Sequence, residues 1–276
     1  MSIYVVTHKE YDFPASIVYK PLVVGKAINN LILAEESGVI YDDINDNISH
    51  MNKEYCELTG LYWLWKNCDE KYIGLCHYRR YFSSGENDSC SVKGKKVMSE
   101  TELNELLNHY DIIVPTAISF GKRTVFSQFM KVHYIQDILL LKDCINIIHP
   151  EYVPSFEKVM NQSILYPFNM LITKKDVFDD YCDWLFSILF FYEKKCDISN
   201  YNNYQRRLYG FLAERLFTIW IVHNYTNYSI KERDVVALED IPFTKTSVKD
   251  FVDIKWSNLK FFSMRALSKS IFNMLK

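Results

Sequence analysis

The sequence predicts an α/β fold in which a mainly parallel sheet is packed between helices. Short apolar segments alternate along the chain with longer segments of helical periodicity, an order typical of strands that are joined through helices. The 276 residues are 49% hydrophobic, which is enough apolar material for one large core. The sequence contains no internal repeat and no clear linker, so one main domain is expected.

The predicted elements follow the chain in that alternating order. Strands are expected where short apolar runs occur, at 3–6, 72–78, 111–115 and 169–173. Helices are expected where apolar residues recur at intervals of three and four, at 50–67, 99–109, 127–148, 174–195 and 203–224. Residues 83–96 are polar and aperiodic and contain Gly and Ser, which predicts a mobile surface loop.

Composition and charge exclude several classes of function. A formal net charge of −2 and a pI near 6.4 argue against nucleic-acid binding through the overall charge of the protein. The seven cysteines show neither CxxC pairs nor zinc-ligand spacing, so buried thiols in a reducing compartment are expected. The longest nearly apolar segment, 184–192, has about half of the ~20 residues that span a bilayer, and the first residues lack a signal-peptide core. We therefore expect a cytoplasmic protein, at most peripheral to the inner face of the cell membrane.

Motifs of several common enzyme classes are absent. The sequence contains neither GxGxxG nor GxxxxGK[ST], so no glycine-rich loop is expected to hold phosphate. It also lacks the GxSxG motif of serine hydrolases and the HExxH motif of zinc proteases. The Asp-x-Asp motif with which many nucleotide-sugar enzymes hold a divalent metal does not occur either, so no metal is implied.

A stripe of hydrogen-bonding side chains marks the predicted helix at 50–67. A solvated helix face normally carries mobile charges, whereas this stripe carries amides, hydroxyls and phenols beside large apolar residues. The stripe is either a buried packing seam or one wall of a binding site, and we favour the wall. At helical period it contains Asn52, Tyr55, Thr59, Tyr62 and Lys66.

Basic residues follow two of the predicted strands. His8 and Lys9 come after the first strand, and ligands of open α/β sheets gather at the carboxyl ends of strands. The segment GLCHYRRYF ends the second strand with His77, Arg79 and Arg80. If strand alternation continues, His77 and Arg79 point to one side and Arg80 to the other. Since arginine suits bidentate phosphate contacts, these residues either neutralise a diphosphate or form surface ion pairs.

Three aspartates precede the predicted helix at 50–67. They are Asp42, Asp43 and Asp46, in the segment YDDINDNIS. At least one of them is expected to cap the helix or to form an Asx turn. Another carboxylate of this segment is a candidate for a general base or for a contact with sugar hydroxyls.

The predicted helix at 203–224 carries a polar face. Arg207, Gly210 and Glu214 share this face, while large apolar residues occupy the other sides. A helical glycine costs roughly 1 kcal/mol relative to alanine, so Gly210 indicates close packing or room for a ligand. Arg207 and Glu214 either hold a polar molecule between them or pair with other buried charges.

The last residues differ from the rest of the chain in composition. Residues 255–276 contain five basic residues and no acidic ones, interspersed with aromatic and aliphatic residues. Such a segment either packs on the domain as a plain helix or lies in the interface of an anionic membrane. We expect a domain at 1–250 followed by a basic, amphipathic, helical tail at 251–276.

Eight segments, in this order, resemble one known family. They are THK, DDINDNIS, NKEYCELTGLYWLWKN, GLCHYRRYF, DIIVP, HPEY, YPFNMLIT and YGFLAERLF, and they span about residues 1–225. The chain resembles the DUF4422 family, which occurs in bacterial gene clusters for capsule, exopolysaccharide and O-antigen. The resemblance implies a glycosyltransferase with a GT-A-like, Rossmann-like fold that transfers galactofuranose from its uridine diphosphate (UDP) donor to an oligosaccharide or lipid-linked acceptor.

The resemblance gives the candidate residues roles. A site without metal is expected to stabilise the departing diphosphate with His77, Arg79 and Arg80, joined by Lys9. In a single inverting displacement one carboxylate must deprotonate the acceptor hydroxyl, and the candidates are Asp43, Asp46 and Glu214. The other expected contacts with donor or acceptor are His8, Asn52, Tyr55, Thr59, Tyr62, Lys66, Asn169, Arg207 and Gly210. Two alternatives stay open: a transferase with a pyranose donor, and a non-catalytic carbohydrate-binding protein of a polysaccharide assembly complex.

Overall fold

The computed structural model describes residues 1–33, 38–85, 90–239 and 254–263. Its strands are β1 (Ser2–Thr7), β2 (Tyr19–Val23), β3 (Ile40–Tyr41), β4 (Tyr72–His77), β5 (Arg80–Phe82), β6 (Cys90–Val92), β7 (Lys95–Val97), β8 (Ile112–Pro115), β9 (Ile118–Ser119), β10 (Ile164–Leu165), β11 (Leu171–Lys174), β12 (Ile230–Arg233) and β13 (Val235–Ala237). Its α-helices are α1 (Asn52–Tyr55), α2 (Leu58–Asn67), α3 (Glu100–His109), α4 (Val125–Val132), α5 (Ile135–Ile148), α6 (Val153–Asn161), α7 (Lys175–Glu193) and α8 (Leu208–His223). Residues 254–263 form a further helix.

A mixed, mostly parallel sheet forms the centre of the fold. Its main strands lie in the order β12, β8, β11, β4, β1, β2, β3. β1 pairs in parallel with both β2 and β4, while β11 runs antiparallel between β4 and β8. The chain leaves β1 on one side to form β2 and β3, and returns on the other side as β4. The carboxyl ends of β1 and β4 therefore meet where the strand order reverses, which is where open α/β sheets bind ligands.

Both faces of the sheet are covered, because successive side chains of β1 point in opposite directions. Tyr4 and Val6 belong to the larger core, which is formed with α2 and α4 to α8. Ile3 and Val5 belong to a smaller core, which is closed by α3 and by the β6–β7 hairpin. β1 is buried along its whole length, as expected for a central strand with two covered faces. The predicted α/β fold is confirmed.

Several elements differ from the predicted ones. The predicted helix at 127–148 is two helices, α4 and α5, because His133 and Tyr134 adopt extended backbone between them. The predicted mobile loop at 83–96 contains the β6–β7 hairpin, whose turn holds Gly94 at φ 72°. The sequence did not predict β2 or β12, because β2 contains a proline and β12, with sequence IKER, is mostly polar.

The predicted tail is helical where it is described. In the helix at 254–263, Ile254 is buried and Phe261 packs against the larger core. Residues 264–276 and the predicted boundary between 250 and 251 lie outside the described residues, so the division into domain and tail stays a prediction. Among the helices that the structure describes, none combines the length and the hydropathy needed to cross a bilayer.

α2 lies close against the sheet because residue 60 has no side chain. A Cβ atom built on Gly60 would lie 2.9 Å from the Cγ1 atoms of Val6 and Val24. Interiors packed to this density have no room for an additional methyl group. Gly60 therefore allows the first turn of α2 to approach the carboxyl end of β1.

Gly60→Ala is expected to destabilise the protein by about 1–3 kcal/mol, since the added methyl group overpacks this contact. Gly210→Ala in α8 is a matched control, because its Cβ would lie 3.6 Å from the Cβ of Cys56, an ordinary contact. The control should be neutral or should stabilise by up to about 1 kcal/mol through helix propensity. Urea unfolding measures both, and a Gly60→Ala variant as stable as the wild type would contradict the close packing of α2.

Candidate active site

A cavity of about 580 Å³ opens at the carboxyl ends of β1 and β4. Its volume lies within the range of small-molecule sites. Four segments contribute most of its lining, at 6–9, 52–57, 77–80 and 207–214. The reversal of strand order and the cavity therefore coincide.

A tight turn after β4 brings two arginines to the cavity. His77 in β4 pairs with Arg80 in β5, so Tyr78 and Arg79 form the turn between two antiparallel strands. The alternation predicted beyond His77 is wrong, and both arginines line the cavity. The guanidinium carbon of Arg80 lies 4.5 Å from the centroid of the Phe168 ring, within the range of a cation–π contact.

Basic side chains outnumber acidic ones around the cavity, five against two glutamates. Arg79 forms an ion pair with Glu239 at 3.5 Å, whereas the other four have no carboxylate oxygen within 4.0 Å among the described residues. Burial and the charge of Arg79 lower the pKa of Arg80. An excess of positive charge of this kind favours an anionic ligand. The five basic residues are Lys9, Lys53, Arg79, Arg80 and Arg207.

Two residues before β11 adopt left-handed backbone beside the cavity. Phe168 has a φ of 76° and Asn169 a φ of 50°, a region that is costly for residues other than glycine. The Phe168 N–H donates to Glu214 at 3.0 Å, and its carbonyl accepts from His77 Nε2 at 2.7 Å. The Asn169 amide donates to Glu57 Oε1 at 2.7 Å. This Phe168–Asn169 turn therefore links the end of β4, the residue before α2 and the middle of α8.

Both histidines of the cavity favour the neutral form. A carbonyl only accepts hydrogen bonds, so His77 must carry its proton on Nε2 to bond with Phe168. Burial lowers the pKa of His77, and the nearby arginines add to this shift. Burial also lowers the pKa of His8, with a further contribution from neighbouring cations. Burial thus disfavours the cationic form of His77, and lysine and arginine supply the positive charge of the cavity.

The two glutamates of the cavity differ in their partners. Glu214 uses Oε1 to accept the Phe168 N–H and Oε2 to accept Arg215 Nη1 at 3.0 Å. Burial raises the pKa of Glu214, and Arg215 opposes that shift. Glu57 uses Oε1 to accept Asn169, and no described residue donates to its Oε2. Glu57 therefore lines the cavity with one oxygen held in place and the other without a donor among the described residues. Within the described residues, no cluster of three or more His, Cys, Asp or Glu side chains is arranged to hold a metal ion.

A break in the helical backbone at Cys56 places Glu57 at the cavity. Cys56 has φ 54° and ψ −130°, a conformation that is rare outside glycine. Its sulfur accepts from Arg207 Nε at 3.2 Å, and its carbonyl accepts from the Asn52 amide at 2.7 Å. Burial raises the pKa of the Cys56 thiol to about 11, so the thiol is neutral near pH 7. The single helix predicted at 50–67 is wrong, and α1 and α2 replace most of it.

Residues 2–225 match the family model described as a domain of unknown function, DUF4422. The chain belongs to the DUF4422 family. It is also similar to the apo structure of the bifunctional glycosyltransferase WbbM, with a TM-score of 0.75 and 30% sequence identity over 88% of this chain. The match covers 47% of the WbbM chain, so this chain spans about half of that protein. No functionally curated protein matches the sequence significantly. This DUF4422 protein therefore has a glycosyltransferase-like fold.

The fold of the DUF4422 protein brings most of the predicted contact residues together. Asn169 is only 1% exposed and lies behind the cavity, where it contacts Glu57 rather than the open space. The roles of these residues stay predictions. Those that line the cavity are His8, Lys9, Asn52, His77, Arg79, Arg80, Arg207, Gly210 and Glu214.

The predicted polar wall on the helix at 50–67 is a packing seam instead. Because the helix breaks after α1, the period that joins the five polar residues is interrupted. Of these five described residues, Asn52 alone lines the cavity. Tyr55, Thr59 and Tyr62 are buried in the core. Lys66 lies over the Trp65 ring.

The aspartates predicted as candidate bases do not reach the cavity. Asp43 and Asp46 are exposed, and Asp46 accepts a hydrogen bond from the Tyr62 hydroxyl at 3.1 Å. Asp42 does not cap the helix predicted at 50–67, because the backbone N–H groups that it accepts belong to another segment. It is fully buried and accepts the backbone N–H groups of Gly25 and Lys26. Their positions remove Asp43 and Asp46 from the candidates for a base in this cavity.

Lys53, Glu57 and Phe168 are among the lining residues that sequence reasoning missed. Glu57 follows a helix break at a cysteine, and a break without glycine or proline leaves no recognisable signal in the sequence. Phe168 forms a left-handed turn with Asn169, and of the two only asparagine is a residue that indicates such a turn. Asn169 was therefore the one available signal for this turn.

Proposed function

We propose that the protein is a glycosyltransferase that moves a sugar from a UDP-sugar donor to an oligosaccharide or lipid-linked acceptor of a bacterial surface polysaccharide. One observation carries the proposal. Five basic side chains, four of them without an ion-pair partner among the described residues, line the cavity at the carboxyl ends of β1 and β4 together with two carboxylates. The similarity to the glycosyltransferase WbbM supports the same reaction class.

The basic side chains suit a leaving group that carries a diphosphate. Cleavage of the bond between the anomeric carbon and the phosphate oxygen leaves the electron pair on UDP, so negative charge grows there. Arg80, Lys9 and Arg207 line the cavity and can donate hydrogen bonds to that group as its charge grows. Arg79 is paired with the half-exposed Glu239, an exposed contact of small energetic value that a diphosphate can replace.

Glu57 is the better placed of the two glutamates to act as general base. It lines the cavity, no described residue donates to its Oε2, and Asn169 fixes the orientation of the carboxylate through Oε1. In a single displacement the acceptor oxygen attacks the anomeric carbon, its proton passes to Glu57, and UDP departs from the opposite face. Glu214 is engaged at both oxygens by Phe168 and Arg215, which suits a positioning role.

The identity of the donor sugar is a more specific part of the proposal. Membership of the DUF4422 family favours galactofuranose from UDP-galactofuranose, and the reaction then proceeds with inversion and without a divalent metal. Two other functions compete with it: transfer of a pyranose sugar, and carbohydrate binding without catalysis. The three functions differ in whether UDP is released and in which donor releases it.

Release of UDP from a panel of sugar nucleotides tests the proposal. With an oligosaccharide or lipid-linked acceptor present, the purified protein should release UDP from UDP-galactofuranose at least about tenfold faster than from UDP-galactopyranose or UDP-glucose. A chelator should leave the rate unchanged, because the basic side chains supply the charge that a metal would supply. Turnover of pyranose donors alone would overturn the assignment of the donor. Binding of sugar without UDP release would overturn the proposal that the protein is an enzyme. Loss of activity in chelator that manganese restores would overturn the metal-independent mechanism.

Glu57→Gln should lower kcat by about 10²–10⁴-fold, the range for loss of a general base, while the affinity for UDP changes little. Glu214→Gln is the contrasting variant, because it removes the anionic partner of Arg215, whose side chain is 3% exposed. Breaking a buried pair typically costs about 3–5 kcal/mol, so this variant should lose stability. Steady-state kinetics and thermal unfolding separate the two effects. Wild-type kcat in Glu57→Gln would rule out Glu57 as the base.

A further inference from the structure

The helix at 254–263 is held on the domain in one fixed rotation. Asn258 is 8% exposed and sits between this helix and the junction of α4 and α5. Its Oδ1 accepts the backbone N–H of Ile135 at 2.8 Å, and its amide donates to the carbonyls of Met130 and His133 at 3.0 and 3.2 Å. Ile254 is buried on the same side. These contacts determine which side chains of the helix point away from the protein.

The outward face of this helix combines large apolar side chains with lysines. Trp256, Leu259 and Phe262 are 62%, 51% and 48% exposed. Lys255 and Lys260 are also exposed. At 100° per residue these five positions fall within an arc of about 160°, opposite the buried positions. The arc is therefore one continuous surface, amphipathic in composition and without an acidic residue.

A shallow apolar groove of about 280 Å³ continues this surface onto α4. Met130 and Lys131 of α4 line it together with Ile254, Leu259 and Phe262 of the helix. Lys131 is exposed, so a third lysine borders the apolar surface. Soluble proteins seldom expose such a cluster of large apolar side chains unless a partner covers it.

We infer that this face docks on an anionic lipid bilayer. Aromatic and aliphatic side chains of an interfacial helix enter the boundary between headgroups and acyl chains, while lysines at its edges meet lipid phosphates. The apolar side chains of this face are Trp256, Leu259 and Phe262. The lysines at its edges are Lys131, Lys255 and Lys260. The inference concerns a surface formed by α4 and the helix, and it does not depend on the proposed transfer reaction.

Charge disfavours a second copy of the chain as the occupant of this face. A two-fold interface places the same surface on both copies, so the three lysines of one copy would face those of the other. No acidic residue lies in the helix or lines the groove among the described residues, so like charges would meet without compensation. An anionic membrane compensates the same lysines.

Co-sedimentation of the full chain with vesicles tests the inference. The wild type should bind vesicles that contain phosphatidylglycerol and should bind phosphatidylcholine vesicles at least about tenfold more weakly, with a further decrease at high salt. Trp256→Ser combined with Phe262→Ser should lower the partition coefficient by about tenfold or more. Lys255→Gln combined with Lys260→Gln should lower the partition coefficient for anionic vesicles only.

Ile17→Ser is the matched control, since Ile17 is 86% exposed and lies outside this surface. It should bind vesicles like the wild type. Failure of the wild type to bind, equal binding to both vesicle types, or unchanged binding by the Trp256 and Phe262 double variant would each overturn the inference. Conversion of a dimer to a monomer by the double variant, without any vesicle binding, would assign the face to a second copy. UDP release by the double variant, measured without vesicles, should stay unchanged, which keeps this test separate from that of the transfer reaction.

Discussion

The arrangement of the site depends on the hydrogen bonds made by the Phe168–Asn169 turn. Two consecutive left-handed residues other than glycine cost of order 1–3 kcal/mol each, so the surrounding structure must hold them in place. Three contacts do so: Glu214 accepts the Phe168 N–H, His77 donates to the Phe168 carbonyl, and Glu57 accepts the Asn169 amide. Each contact also fixes a side chain of the cavity. The turn therefore fixes the orientation of the Glu57 and Glu214 carboxylates and of the His77 imidazole.

The sheet determines where the positive charge lies. β1 and β4 are parallel neighbours at the reversal of strand order, so the residues that follow them, from His8 and Lys9 to Arg79 and Arg80, reach the same space. Burying Arg80 and bringing it close to Arg79 costs free energy, as the lowered pKa of Arg80 indicates. An anionic ligand reduces that repulsion. A diphosphate therefore gains a favourable contribution to its binding free energy that an uncharged sugar lacks.

Regular elements were predictable where the pattern of apolar residues was regular. β1, β4, β8 and β11 lie near their predicted positions, and so do α3, α7 and α8. The prediction failed where backbone conformation rather than periodicity decided the structure. The break at Cys56 turned a presumed ligand-binding stripe into a packing seam and brought Glu57 to the cavity, and the hairpin turn after His77 reversed the expected alternation. Residue types thus located most of the basic part of the site and Glu214, whereas Glu57 required the three-dimensional path of the chain.

The central claim is that the lysines and arginines of the cavity, Arg80 among them, bind the diphosphate of the donor. Titration calorimetry of uridine and UDP in the presence of a chelator tests it most directly, with Arg80→Gln beside the exposed control Arg123→Gln. Since charge-assisted contacts contribute about 1.5–3 kcal/mol each, UDP should bind at least about 100-fold more tightly than uridine. Arg80→Gln should remove about tenfold or more of that advantage, and Arg123→Gln none of it. Equal affinities for uridine and UDP, or an unchanged advantage in Arg80→Gln, would contradict the account.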